Sequence, residues 1–288
     1  MRRFTFTNAR GAQVVFGPPP SQYLITSVSG LDMPGTTRQT QKAPGQDGET
    51  LLDETLDPRD LTFEGAITVP NLSASINPLR ITLGQVLSPK LGMGVGVYEY
   101  DGGSKRIACR PDGLAFADRQ REPYQRFQAK FYCPSPFWES VEAGAQSVGL
   151  VSALLKFPVA FPAAGIAFSE RLSDKARTLV NAGEVDTPIR ATFWGPASNP
   201  TLVNQTTGKM LHILVTLDYS ESIEIDTGDS PSVILHRGSA SSNGMQYLDL
   251  NSEFWRLAPG DNVVTFFDDT NSILPRCDIA WRDRFITL

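Results

Sequence analysis

The sharpest catalytic pattern in the chain is Asp226-Thr227-Gly228, which ends the apolar segment IEIDTG (223–228). Aspartic proteases set two such carboxylates against one shared proton. This chain carries a single copy, so the chemistry would need a homodimer. The plainer reading is a strand running into an Asp-x-Gly turn. Other nucleophile and phosphate patterns fail on spacing. GSASS (238–242) is not G-x-S-x-G, and Thr207-Gly208-Lys209 lacks the upstream glycine of a P-loop. Gly92, Gly94 and Gly96 alternate as on a strand that something packs closely, not as in a dinucleotide loop. His212 and His236 are the two histidines, which excludes a three-histidine metal site, and both read as structural. Cys109, Cys133 and Cys277 lie far apart without a CxxC pair, so a zinc ribbon is excluded and they read as buried thiols. Asn204-Gln205-Thr206 is a glycosylation sequon by pattern only. Four tryptophans remain: Trp138, Trp194, Trp255 and Trp281. An exposed indole on a β-sandwich stacks on sugar rings, although a strand tryptophan is more often core or interface. Trp194, Trp255 and Trp281 are the stacking candidates. These residues predict no enzyme, no metal and no cofactor.

The elements that must carry these residues are short. The 288 residues suggest about two domains. Gly (24) and Pro (21) are in excess, which implies many turns. A net charge of −5 argues against a free, sequence-specific nucleic-acid surface, yet suits a wall that DNA passes without sticking. No apolar core follows Arg2 and Arg3, so no signal peptide is expected. The most apolar stretch, Ser152 to Phe168, is broken by Lys156, Pro158 and Pro162, so no membrane insertion is expected.

Period-two alternation dominates. In LTFEGAITV, Leu61, Phe63, Gly65, Ile67 and Val69 share one strand face. In PYQRFQAKFYC, Phe127, Ala129, Phe131 and Cys133 do the same. Further strands are expected at 3–7, 13–16, 23–27, 95–100, 106–110, 188–194, 210–217, 222–225, 232–236, 245–250, 262–267 and 278–286. Ile76, Leu79, Leu83, Val86 and Leu87 recur at helical spacing within 71–87, with Pro78 fitting the first turn. A second short helix is expected over 169–177. The fold class is therefore mainly β with one or two helices.

Residues 34–58 have few apolar positions, two internal turn signals and no period. So long a structureless stretch is unusual inside a compact domain. It reads either as a disordered insertion or as an arm ordered only against a neighbour, and the arm is favoured. The prolines of CPSPFW (133–138) force an extended exit, and the small polar ESVEAGAQSVG that follows suits a linker. The expected domains are 1–138 and 139–288.

Assembled in order, the C-terminal motifs resemble a known family. They are NAG (181–183), a strand with Pro188 and Gly195, NPTLVNQTTG (199–208), MLHILVTL, IEIDTG, and GSASSNGMQYLDLNSEFWRLAPGDNVVTF (238–266). In the N-terminal half, PGQDGETL (44–51), LTFEGAI, Pro78-Leu79-Arg80 and FYCPSPFW add to the series. The chain resembles the distal tail proteins of long-tailed phages with non-contractile tails. The resemblance implies an N-terminal ring-forming, β-sandwich or barrel-like domain with one helix and an extended arm, followed by a galectin-like β-sandwich. It further implies a structural virion protein, made in the host cytoplasm and placed at the distal end of the tail. Six copies would form a ring joining the tail tube protein to the tail-tip hub, with DNA passing through the lumen and receptor-binding proteins as further partners. The arm on the adjacent protomer would comprise Arg38, Gln39, Thr40, Gln41, Lys42, Pro44, Gly45, Gln46, Asp47, Gly48, Glu49 and Thr50. The alternative is a saccharide-binding adhesin acting through the C-terminal sandwich.

Overall fold

The computed structural model describes residues 2–69, 75–117, 124–149, 151–153, 169–171, 176–270 and 275–288. The chain forms two compact units, residues 1–141 with 285–288, and residues 142–284.

The strands of the first unit are β1 (Arg3–Thr7), β2 (Gln13–Phe16), β3 (Tyr23–Ser29), β4 (Thr36–Gln41), β5 (Thr50–Leu56), β6 (Arg59–Thr68), β7 (Gly94–Tyr100), β8 (Gly103–Phe116), β9 (Tyr124–Cys133) and β10 (Trp138–Ser140). Helix α1 (Asn77–Val86) lies between β6 and β7. The sheet order β8-β7-β1-β2-β3-β6-β9 closes into a barrel because β9 also pairs with β8. The long β8 does both jobs. Its first half pairs with β7, and Arg110–Phe116 pairs with β9 across an irregularity between Pro111 and Gly113. Closure removes the free edges that would otherwise invite another strand.

The alternation seen in sequence fills this barrel. Leu61, Phe63 and Ile67 of β6 point inward, as do Phe127, Ala129, Phe131 and Cys133 of β9. Phe4 stacks on Phe63 with centroids 4.2 Å apart and meets the edge of Phe131 at 5.3 Å. So many rings leave no room for inward side chains at the start of β7. A Cβ at Gly96 would lie 2.5 Å from the Phe4 ring, and one at Gly94 2.7 Å from the Phe6 ring. The alternating glycines are thus the complement of the phenylalanines. Helix α1 packs Leu83 and Val86 against this core, flanked by buried Ile76 and Leu87. Pro78 stands in its first turn, where a missing N–H does no harm. The Tyr23 hydroxyl donates to the Leu79 carbonyl (3.0 Å), and the Asn8 amide donates to the Val86 carbonyl (3.2 Å). The helix is shorter than the 71–87 span expected, of which 71–74 lie outside the described residues.

In the second unit, one sheet takes the order β11 (Gly144–Gly149), β25 (Arg276–Trp281), β15 (Thr187–Trp194), β20 (Glu221–Asp226), β21 (Ser232–Arg237) and β22 (Ala240–Asn243). The facing sheet runs β14 (Ala176–Asn181), β24 (Gly260–Phe267), β17 (Thr201–Asn204) and β18 (Lys209–His212). Between them lies a core that includes Phe193, Ile223, Ile225, Leu235, Leu202, Leu211, Val264 and Phe266. This is a β-sandwich. Short pairs complete it: β12 (Val151–Ala153) with β13 (Ser169–Arg171), β16 (Ala197–Ser198) with β19 (Thr216–Leu217), and β23 (Arg256–Leu257) against β15. The final strand, β26 (Arg284–Phe285), lies next to β10 in the sheet order.

Three expectations change. The second helix over 169–177 is strand at both ends, β13 and the start of β14, with 172–175 outside the described residues. Past that span β14 continues with Leu179 and Asn181 buried and Val180 exposed, a strand alternation. The strand expected over 245–250 begins instead as a 3-10 turn, Met245–Tyr247, because the Asn243 side chain accepts from the Met245 N–H (2.9 Å) and Gly244 accepts from Tyr247 (2.9 Å). The structureless 34–58 stretch contains the paired strands β4 and β5.

Candidate functional site

The arm is a two-stranded antiparallel ribbon. Thr36↔Leu56, Arg38↔Glu54 and Gln41↔Thr50 pair across it, with a register shift between Gln39 and Thr40. Its β-branched threonines suit extended backbone, which supplies the local preference that apolar periodicity did not. Directly opposed charges add to it: Arg38 Nε lies 3.0 Å from Glu54 Oε1. That guanidinium, with a further hydrogen bond from Thr36, holds the Glu54 carboxyl below its ordinary range. At the root, the Thr37 hydroxyl donates to Asp57 (2.6 Å) and the Asp57 N–H to the Gly35 carbonyl (2.8 Å). At the tip, Ala43 and Gln46 exchange two hydrogen bonds, and Gly45 (φ 78°) and Gly48 (φ 79°) take the left-handed backbone that glycine allows.

The twelve expected arm residues lie together here. Arg38 to Gln41 are on β4, Lys42 to Glu49 form the tip, and Thr50 starts β5. Thr36 to Gln41 and Thr50 to Thr55 are all exposed, including Leu51 (54%) and Leu52 (60%). A lone hairpin is marginal in water, so this ribbon has no core of its own to keep it folded.

What anchors the arm was not visible in sequence. Arg59, at the first inward position of β6, is 2% exposed. Its guanidinium donates to the carbonyls of Gly30 (2.7 Å), Asp32, Pro136 (3.0 Å) and Ile286 (2.7 Å), and lies over Trp138. One buried cation therefore ties the segment leading into the arm to the exit from the barrel and to the last residues of the chain. Burial lowers its pKa from the ordinary arginine value. Lys105 supports the same terminal segment, with its ammonium over Phe285 and donating to Thr287 (3.0 Å). The alternation of β6 put position 59 on the inward face, which was the available signal.

The catalytic look-alike resolves as a turn. Asp226 Oδ2 lies 3.1 Å from Arg190, and Asp226 Oδ1 accepts the Gly228 N–H (2.8 Å). Thr227 is buried, and its hydroxyl oxygen accepts the Ile189 N–H (2.9 Å). His236 Nδ1 is 2.9 Å from the Ser241 hydroxyl in the β21–β22 hairpin, and His212 ends β18. Cys109, Cys133 and Cys277 are free and buried. The facing Cys133 and burial push the Cys109 thiol well up, and burial does the same to Cys277. Among the described residues, no group of three or more His, Cys, Asp or Glu could hold a metal ion.

The stacking tryptophans do not form a set. Trp255 is 1% exposed and belongs to the core, which corrects its candidacy. Trp281 is half-buried and packs on the core, donating to Asp283 (3.2 Å). Trp194 is exposed on β15, donates to Asp278 (2.8 Å), and carries the Arg276 guanidinium over its ring.

The short C-terminal motifs prove to be turn fasteners. Buried Asn181 of NAG donates to the Val185 and Leu257 carbonyls (2.9 Å each) and accepts from Gly183 (2.9 Å). Asn204 caps the Gln205–Gly208 turn, accepting from Thr206 (3.0 Å). Asn262 of PGDN bridges Ala258 through both its oxygen (3.1 Å) and its nitrogen (2.7 Å). A Cβ on Gly195 would fall 1.9 Å from the Asp218 carbonyl oxygen. Each motif serves a backbone that would otherwise bury unpaired polar groups.

A closed barrel with an exposed arm, followed by a sandwich with fastened turns, is the architecture of a phage tail component. Residues 21–133 match the phage tail protein RIFT-related domain, and residues 182–285 match the siphovirus-type tail component, C-terminal domain. With most of its length so matched, the chain belongs to the siphovirus distal tail protein family. It is a structural protein of the virion, at the distal end of the tail. Among solved structures, the crystal structure of the phage SPP1 Dit protein, described as a paradigm of the hub adsorption apparatus in phages infecting Gram-positive hosts, is similar with a TM-score of 0.66 at 14% identity, over 98% of this chain and 99% of that one. A chain of the phage P2 baseplate, in its activated conformation with Ca, is similar with a TM-score of 0.58 at 9% identity over 100% of both chains. At such identities the likeness is one of fold. No curated protein sequence matches the chain.

Proposed function

We propose that six copies of this chain close into a ring that joins the tail tube to the tip proteins and lets DNA pass through its lumen. The arm of each copy lies on the adjacent protomer. The observation that carries this reading is the arm itself: a ribbon with every strand residue from Thr50 to Thr55 exposed, two adjacent leucines among them, and a buried arginine holding the segment that leads into it. Such a ribbon gains from a second surface. A cyclic ring needs a heterologous contact, and a projecting arm provides one. A net charge of −5 favours a conduit over a DNA binder. Deleting residues 40–50 tests it. The expected product is a soluble chain with an unchanged thermal transition that no longer forms rings. Normal rings from the deletion would refute the arm assignment.

Of the three candidate tryptophans only Trp194 is exposed, and its face and Nε1 already engage Arg276 and Asp278. Saturable glycan binding by the full chain, lost in Trp194→Ala, would restore the adhesin alternative.

A further inference from the structure

The barrel unit contains a groove whose chemistry complements the arm. It encloses about 1000 Å3 beside α1, and Arg10, Ile81, Gly84, Gln85 and Lys90 are among the residues that line it. Among the described residues that line it there is no carboxylate. Arg10 and Lys90 make no ion pair among the described residues. Ile81 is 59% exposed on the helix surface. Gly84 sits in the helix interior, where an added Cβ would meet nothing within 4 Å. Glycine there weakens a helix relative to alanine, and nothing among the described residues uses the space it leaves.

The arm carries the opposite features. Asp47, Glu49 and Asp53 make no ion pair among the described residues, against a single unpaired cation, Lys42. Leu51 and Leu52 project beside them into solvent.

We infer that the α1 groove receives the arm of a second copy of this chain. Arg10 and Lys90 meet the arm carboxylates, and Ile81 with the open flank of Gly84 meets Leu51 and Leu52. The inference rests on the ring reading above and names the receiving surface. A groove and its ligand at different places on one chain make a head-to-tail contact, the kind that repeats into a ring.

The test measures association of the full chain by light scattering, alone and with the tail tube protein. Arg10→Glu with Lys90→Glu should weaken assembly by roughly tenfold or more, while leaving the thermal transition in place. Adding Asp47→Lys and Glu49→Lys to that variant should restore it. Gly84→Leu should keep or raise the melting temperature, since it improves the helix, and still weaken assembly by a similar factor. Charge reversal without effect, in a chain whose rings are abolished by deleting 40–50, overturns the groove and leaves the arm reading intact. Normal rings after the deletion overturn both. So does a wild-type chain that fails to associate under either condition.

Discussion

Arg59 concentrates the residue-scale consequences. Its carbonyl partners come from three segments distant in sequence, and Lys cannot match the fork that reaches them. Arg59→Met should therefore destabilise the barrel by on the order of 3 kcal/mol, leaving buried carbonyls without donors. Arg59→Lys should recover only part of that loss. Urea unfolding measures both, and a change below about 0.5 kcal/mol for Arg59→Met would show the clasp to be solvated instead. The thiols give a second residue-scale prediction. Buried, and with two of them pushed well above the ordinary range, Cys109, Cys133 and Cys277 should resist alkylation in the native protein and react together on unfolding. Mass spectrometry after brief exposure to iodoacetamide checks it. One labelled thiol in the folded state would contradict the packing.

At the scale of elements, the arm has its own pH dependence. The Glu54 carboxyl titrates lower in the folded ribbon than in the unfolded chain, so its pairing with Arg38 contributes fully above the unfolded pKa and is lost as pH falls through the folded one. Arm amides should accordingly lose hydrogen-exchange protection in the acid range, below the usual glutamate pKa, while the barrel amides hold. Arg38→Gln should loosen the ribbon at neutral pH and remove the acid step. The barrel strands were legible because inward positions such as Phe63 and Phe131 alternate with polar ones, a period that a two-sided environment imposes. The same logic explains what was hidden. The arm has no buried face, so its strands carry no alternation; threonines, an opposed Arg38–Glu54 pair and the bonds at its root and tip specify them instead. In 245–250 Tyr247 and Leu248 pack against the core while Met245 and Leu250 are exposed, and this apolar composition imitated a strand. Gly94 and Gly96 announced a close packing, but the rings that demand it lie on β1, some ninety residues earlier. Gly96→Val should consequently destabilise the barrel by about 1–3 kcal/mol or more.

At the scale of the whole molecule, the order of short motifs from NAG to PGDN revealed the family, because each fastens a turn of the same sandwich. The receiving surface for the arm was not legible. Arg10, Gly84 and Lys90 come from separate elements, and only folding assembles them. Cyclic assembly through the arm is tested by the solution mass of the purified chain beside its 40–50 deletion, with negative-stain images of each peak. The intact chain should run as a closed ring of about 189 kDa, six copies of 31.5 kDa, and the deletion as a folded monomer. An intact chain that remains a stable dimer, or a deletion that still forms rings, would rule out ring closure through the arm.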